Sequence, residues 1–149
     1  MFKILKVEVE NFLNFKKNSF DLSGNRVFIH GKNGLGKTNI LNAIAWVLTG
    51  KSVFDEKLNP RRIENFEYVD DENPSVKLTI QFGDANLTLT RSVKGRKTEI
   101  IVQNNTNGKI EIPKVKEFEK WVKAELGFGV YLFQPALLFE SSWSKQSES

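Results

Sequence analysis

The sequence predicts an α/β domain in which a mixed sheet lies beside an antiparallel β meander, and three features carry that prediction. A glycine-rich loop, GKNGLGKT at residues 31–38, stands between a short apolar run and a stretch of apolar residues at helical spacing. Three segments between residues 76 and 102 alternate apolar and polar residues with period two and are separated by turn residues. A second helical repeat follows them.

Taken in order, the first strand is expected at residues 5–9, where Leu5, Val7 and Val9 alternate with Lys6, Glu8 and Glu10. A second is expected at residues 19–22, with Phe20 and Leu22 on one face and Ser23-Gly24-Asn25 as the turn after it, so the two read as a hairpin. Val27, Phe28 and Ile29 form a continuous apolar run, the pattern of a strand buried on both faces, and lead straight into the glycine-rich loop. Residues 38–49 place Ile40, Leu41, Ile44, Val47 and Leu48 at helical spacing with no charged residue, which predicts a helix buried on most sides. Gly50 supplies its left-handed stop.

Residues 51–73 hold Pro60, the pair Arg61-Arg62 and the acidic run Asp70-Asp71-Glu72, and read as a long loop. The meander follows. Val76, Leu78, Ile80 and Phe82 form one face, Leu87 and Leu89 continue after a Gly83-Asp84 turn, and Thr98, Ile100 and Val102 form a third strand before a turn at residues 104–108. Val115, Phe118, Val122 and Leu126 then recur at helical spacing up to Gly127, and a last strand is expected at residues 130–133, before Gln134-Pro135. Residues 1–140 are read as one lobe. Residues 141–149, rich in serine with Trp143 as the only apolar side chain, are read as a flexible tail.

Composition narrows the chemistry. With no cysteine and a single histidine, His30, the chain can build neither a disulfide framework nor the usual thiolate or multi-histidine metal site. Its longest apolar stretch, residues 40–48, is interrupted by Asn42 and is well short of the roughly 20 residues a membrane span needs. The first ten residues mix charged and apolar side chains, unlike a secretory signal, so the expected address is cytoplasmic, with no membrane partner. A net charge of +4 mildly favours a polyanionic partner and decides nothing alone.

The chemistry sits in the loop. Gly31, Gly36, Lys37 and Thr38 satisfy G-x-x-x-x-G-K-[ST], the phosphate-binding P-loop or Walker A pattern, with Gly34 as an additional glycine. Glycines let successive backbone N–H groups turn inward onto phosphate oxygens, and the positive end of the following helix favours the same anion. Lys37 is expected to reach the β- and γ-phosphates of ATP, and the Thr38 hydroxyl to ligate Mg2+. A chance match in a turn is the bland alternative, but the motif stands between the strand and the helix that its mechanism needs. His30 has no carboxylate partner in sequence and is assigned no role.

With Asn33 inside the loop, the segment GKNGLGKTNILNAI resembles the Walker A region of the SMC, RecF and SbcC family of DNA-maintenance ATPases, and LNAIAW is similar to its DndD-like branch. A first strand ending in Asn11-Phe12, with Phe15 following, resembles that family's opening. Here Leu13-Asn14 stand where many relatives have arginine directly after the pair. Leu87-Thr88-Leu89-Thr90-Arg91 resembles a family strand ending in arginine, and Tyr131-Leu132-Phe133-Gln134 resembles the approach to its Q-loop.

The resemblance implies a P-loop NTPase fold and, within it, the N-terminal lobe of an ABC-type ATPase head. It implies ATP and Mg2+ as cofactors, with Gly31, Asn33, Gly34, Leu35, Gly36, Lys37, Thr38 and Asn39 around the nucleotide. Lys37 and Gln134 would be the catalytic residues, and Thr38 and Gln134 would hold the metal. No LSGGQ-type signature is present, and the nearest approach to an acidic Walker B, ALLFE at residues 136–140, lacks its aspartate, so Glu140 is rejected as catalytic base. ATP hydrolysis is therefore expected when a C-terminal half completes the site, and little from this chain alone.

The implied partners are double-stranded DNA, a C-terminal ATPase half or second head, and a nuclease subunit. Arg61-Arg62 is the basic pair best suited to a phosphate backbone, ahead of Lys16-Lys17, Lys94 to Lys97 and the helix lysines Lys114, Lys116, Lys120 and Lys123, which are interleaved with glutamates. Two other readings stay open: a non-hydrolysing, nucleotide-dependent interaction module, and a P-loop small-molecule kinase or transporter ATPase.

Overall fold

Every residue from 40 to 48 is buried, and the rest of the fold is arranged around this uncharged helical stretch. The computed structural model describes residues 2–23, 34–65, 67–69 and 71–126. In chain order these form β1 (Phe2–Phe12), β2 (Phe15–Asp21), α1 (Gly34–Thr49), β3 (Ile63–Glu64), β4 (Glu67–Tyr68), β5 (Ser75–Phe82), β6 (Ala85–Lys94), β7 (Lys97–Asn104), β8 (Ile110–Glu111) and α2 (Val115–Trp121). A π-helical turn, Val122–Leu126, continues α2. The strands expected at residues 27–29 and 130–133, the stop at Gly127 and the tail at 141–149 lie outside the described residues.

Among the described residues the N-terminal hairpin and the meander form one six-stranded sheet of order β2-β1-β5-β6-β7-β8, antiparallel at every pairing. Register explains which residues meet. Val7 faces Leu78, Val9 faces Val76, Leu78 faces Leu89 and Arg91 faces Ile100, all on the face that carries the helices. With Ile80, Leu87, Phe12, Phe118, Val122 and the apolar residues of α1 they make the core, each fully buried Leu or Ile contributing roughly 1.5–3 kcal/mol.

On the opposite face charge is cancelled across strands, with Lys6 opposite Asp21, Lys17 opposite Glu10 and Lys77 opposite Glu8. Thr79 faces Thr88 across the next strand pair. The sheet is thus apolar on one side and polar on the other, the division expected of an antiparallel sheet with one wet face. Its two edges differ. β2 presents Lys16, Lys17, Asn18 and Ser19, all exposed, whereas β8 is only two residues long and is followed closely by Pro113.

Three local results depart from the sequence reading. A bulge between Ile4 and Lys6 breaks the alternation in β1, so Ile4, not Leu5, packs against the core on the same side as Val7. β2 begins at Phe15 rather than near residue 19, because Phe15 and Phe20 pack edge to face with centroids 5.6 Å apart and bring the strand in early. The long loop contains a miniature hairpin, β3 with β4, and touches the sheet through a bridge between Phe12 and Arg61.

α1 ends as its sequence requires. The Gly50 N–H donates to the Trp46 carbonyl at 2.8 Å and Gly50 adopts φ +77°, a conformation that any Cβ would strain. A Cβ there would also lie 3.1 Å from Arg91 Nη1. Among the described residues no helix is long and apolar enough to cross a membrane.

Candidate functional site

The second half of the glycine-rich motif becomes the first turn of α1, which begins at Gly34 and carries no acidic residue in that turn. Four N–H groups at the start of any α-helix lack an intrahelical acceptor, so this end offers donors and partial positive charge that no nearby carboxylate of its own turn cancels. Gly34, Leu35, Gly36, Lys37, Thr38 and Asn39 are therefore brought together at one helix end. Gly31, Asn33, His30, Gln134 and Glu140 lie outside the described residues.

Asn39, expected at the nucleotide, has its side-chain amide directed to the β1–β2 turn, where Nδ2 donates to Asn14 Oδ1 at 2.8 Å. One turn further along α1, buried Asn42 extends this amide chain. Its Nδ2 donates to Asn39 Oδ1 at 3.5 Å, the outer limit for such a bond, and its Oδ1 accepts the Val53 N–H at 2.9 Å. An otherwise apolar helix thus buries one amide, satisfied by the first residues of the following loop.

The β1–β2 turn itself is unusual. Among the described residues four hairpins close with two-residue turns, which begin at Leu13, Asn65, Gly83 and Gly95, and each has positive φ at that first position. Glycine occupies two of those positions and asparagine, which tolerates this region, a third, whereas the β1–β2 turn places leucine there, at φ +50°. A β-carbon in that region costs about 1–2 kcal/mol. Offsetting it, the Leu13 side chain is buried, its N–H donates to the Pro60 carbonyl at 3.1 Å, and its own carbonyl accepts the Ile63 N–H at 2.9 Å.

At the other end of α1 stands Arg91, 4% exposed on the core face of β6. Its Nε donates to the Val47 carbonyl at 3.2 Å, its Nη2 to Glu119 Oε1 at 3.1 Å, and its guanidinium carbon lies 5.8 Å from the Trp46 ring centroid. Burial pulls this guanidinium below its ordinary pKa, and the Glu119 hydrogen bond pulls it back. The arginine that the sequence marked as the end of a strand therefore bolts sheet, α1 and α2 together.

The basic pair of the long loop is spent inside the protein, which corrects its reading as a phosphate contact. Arg62 holds Glu72 through Nε at 2.7 Å and Nη2 at 3.1 Å, and reaches Glu64 at 3.3 Å. Arg61 donates to the carbonyls of Glu72 at 2.9 Å and Gly95 at 2.6 Å, tying the loop to the β6–β7 turn. Hydrogen bonding to Arg62 holds the Glu72 carboxyl below the usual glutamate range, against the opposing effect of desolvation. Lys94, Arg96 and Lys97 at that turn remain exposed with no internal partner among the described residues.

A cavity of about 320 Å³ between β7, β8 and α2, lined by Leu87, Val102, Pro113, Phe118 and Trp121, contains none of the motif residues. Among the described residues no group of His, Cys, Asp and Glu is placed to hold a metal ion. Sequence reasoning gives Asn14 and Asn42 no role: Asn14 stands there only as a departure beside Leu13 after the Asn11-Phe12 pair, and Asn42 only as the polar interruption of an apolar helical face.

Comparison with known proteins bears on this arrangement. The family model described as AAA domain matches residues 6–135. The chain is 38% identical over 63 residues to the DNA replication and repair protein RecF of Flavobacterium johnsoniae, covering 42% of this chain and 16% of that protein. It is 45% identical over 53 residues to the chromosome partition protein Smc of Mesomycoplasma hyorhinis, covering 35% of this chain and 5% of that one. The chain thus matches only a small part of the length of these relatives. Its fold resembles a solved structure of the recombination mediator protein RecF with ATP, at a TM-score of 0.56 and 23% identity, over 68% of this chain and 27% of the other. The chain belongs to the AAA-domain family and is an N-terminal region of the SMC/RecF-like ABC ATPase kind.

Proposed function

We propose that this chain is the ATP-binding half of an ATPase head that works on DNA in repair, recombination or defence, closing on a second half around ATP and opening on hydrolysis. The observation that carries this reading is that the second half of the motif, from Gly34, forms the start of a long helix with no acidic residue in its first turn. Such an end suits a triphosphate, and the donor set suits magnesium, because Thr38 supplies a hydroxyl oxygen of the kind that ion prefers.

In this reading Gly31, Asn33, Gly34, Leu35 and Gly36 wrap backbone N–H groups around the phosphates, and the backbone of Thr38 and Asn39 completes the cradle while the Asn39 side chain stays on the β1–β2 turn. Lys37 supplies positive charge to the β- and γ-phosphates, and Thr38 and Gln134 hold Mg2+. Bound ATP with its magnesium supplies the phosphoanhydride bond whose cleavage resets the head. Gln134 positions the attacking water, while the signature and acidic Walker B groups come from a C-terminal half or second head.

Relatives named DNA replication and repair protein RecF and chromosome partition protein Smc support DNA as the partner, whereas its duplex form, a nuclease subunit as a further partner and the cytoplasm as the place rest on the family resemblance alone. Within this lobe the exposed basic group for DNA is Lys94, Arg96 and Lys97, since Arg61 and Arg62 are engaged internally.

Lys37→Ala should weaken Mg-ATP binding about tenfold or more by calorimetry, since a charge-assisted hydrogen bond contributes roughly 1.5–3 kcal/mol. The circular dichroism spectrum should not change. Equal affinity in the variant overturns the assignment.

A further inference from the structure

We infer that Asn14 is a positioning residue for the phosphate-binding helix, acting through Asn39 to fix the first turns of α1 against the β1–β2 hairpin. The inference rests on the ATP-binding reading and adds a residue to it from outside the glycine-rich motif.

Three observations converge on this turn. Asn39 follows Thr38 directly on α1, and its amide is aimed away from the helix axis onto Asn14 at 2.8 Å, so the rotation of this part of the helix is keyed to one side chain of another element. That element is held in a costly shape. Leu13 keeps the left-handed backbone that glycine provides in two of the sister hairpins, and backbone hydrogen bonds to Pro60 and from Ile63 clamp it on the loop side. A flexible glycine turn would let Asn14 wander, whereas a leucine turn buried on one side and clamped on the other presents Asn14 Oδ1 at a fixed point.

The third observation is that the chain of amides continues. Asn39 Oδ1 meets Asn42 Nδ2, and Asn42 Oδ1 accepts the Val53 N–H, so the Asn14–Asn39 contact is one end of a connection that also anchors the start of residues 51–73. The helix is therefore held against rotation at two points on one face, Asn14 outside and Val53 inside. Freed from Asn14, the first turns can turn or fray and the donors no longer converge on one phosphate position. Affinity then falls with little change in overall stability, because the pair itself is exposed.

The test measures Mg-ATP affinity by calorimetry on the full chain for the wild type, Asn14→Ala, Asn39→Ala and the double variant, with melting temperatures alongside. The side-chain amide resonances of Asn39 are followed by 15N NMR during ATP titration. Asn14→Ala is expected to weaken binding about three- to tenfold, the range one hydrogen bond supplies. The double variant should be no weaker than either single one, and ATP should shift the Asn39 side-chain resonances in the wild type but not in the same way in Asn14→Ala.

Wild-type affinity in Asn14→Ala, or strictly additive losses in the double variant, overturns the inference and leaves the ATP site standing. If Asn14→Ala melts far below the wild type, Asn39→Ala decides by the same affinity criterion. A folded wild-type chain that binds no Mg-ATP overturns the ATP-binding reading and this inference with it.

Discussion

Arg91 has almost no contact with water, yet among the described residues it faces only one carboxylate, that of the partly exposed Glu119. What keeps it charged and buried is the division of its donors between a peptide carbonyl of α1 and the Glu119 oxygen, with the Trp46 ring beside it. Truncation therefore costs more than the ion pair alone. Arg91→Ala should lower unfolding stability by about 2–4 kcal/mol in urea melts, through a cavity and an orphaned Val47 carbonyl. Glu119→Gln should cost less than about 1 kcal/mol, because that side chain is partly screened by solvent. Equal losses would mean that the charge, not the fork of donors, holds the three elements. Residue roles of this type leave little trace in sequence. The sequence marked Arg91 as the end of an alternating strand, whereas β6 runs on to Lys94, and its place between two helices depends on register with β7 and on where α2 docks.

At the scale of elements, the alternation and helical spacing predicted the hairpin, the meander and both helices, because these depend on local period and on turn residues such as Gly50 and Gly83. What was not legible is what depends on partners. A bulge reverses the facing of Leu5 in β1, β8 exists only because β7 offers it an edge, and the long loop folds a hairpin held by Arg62 and Glu72. That clasp has a pH dependence of definite sign. Glu72 titrates below its ordinary range when folded, so its stabilisation is complete above the unfolded pKa and is lost as pH falls through the lower folded value. A carboxyl 13C titration should place the Glu72 midpoint below the usual glutamate range. Arg62→Ala should return it to that range. A midpoint unchanged by Arg62→Ala would mean that the loop is held by other contacts.

For the molecule as a whole, the family and the fold were legible because the P-loop pattern and its flanks are local, whereas the site itself was legible only in part. Its motif residues were named, but the hairpin turn that braces them was not, since the Asn14–Asn39 contact joins residues 25 apart in sequence. If the chain is half of a head, mixing it with a C-terminal half that carries a signature motif and an acidic Walker B should raise ATP turnover at least about tenfold over either part, read by phosphate release. No gain in a complex shown to assemble would favour a module that binds nucleotide without hydrolysing it. The two unlike margins of the sheet have a practical consequence for such mixing. An unpaired strand edge is a template for another chain, yet here one margin is studded with Lys16 and Lys17 and the other stops after two residues. Among the described residues neither margin offers the long, uncharged row of peptide groups on which strands stack into aggregates, so concentrated solutions of this lobe should stay clear.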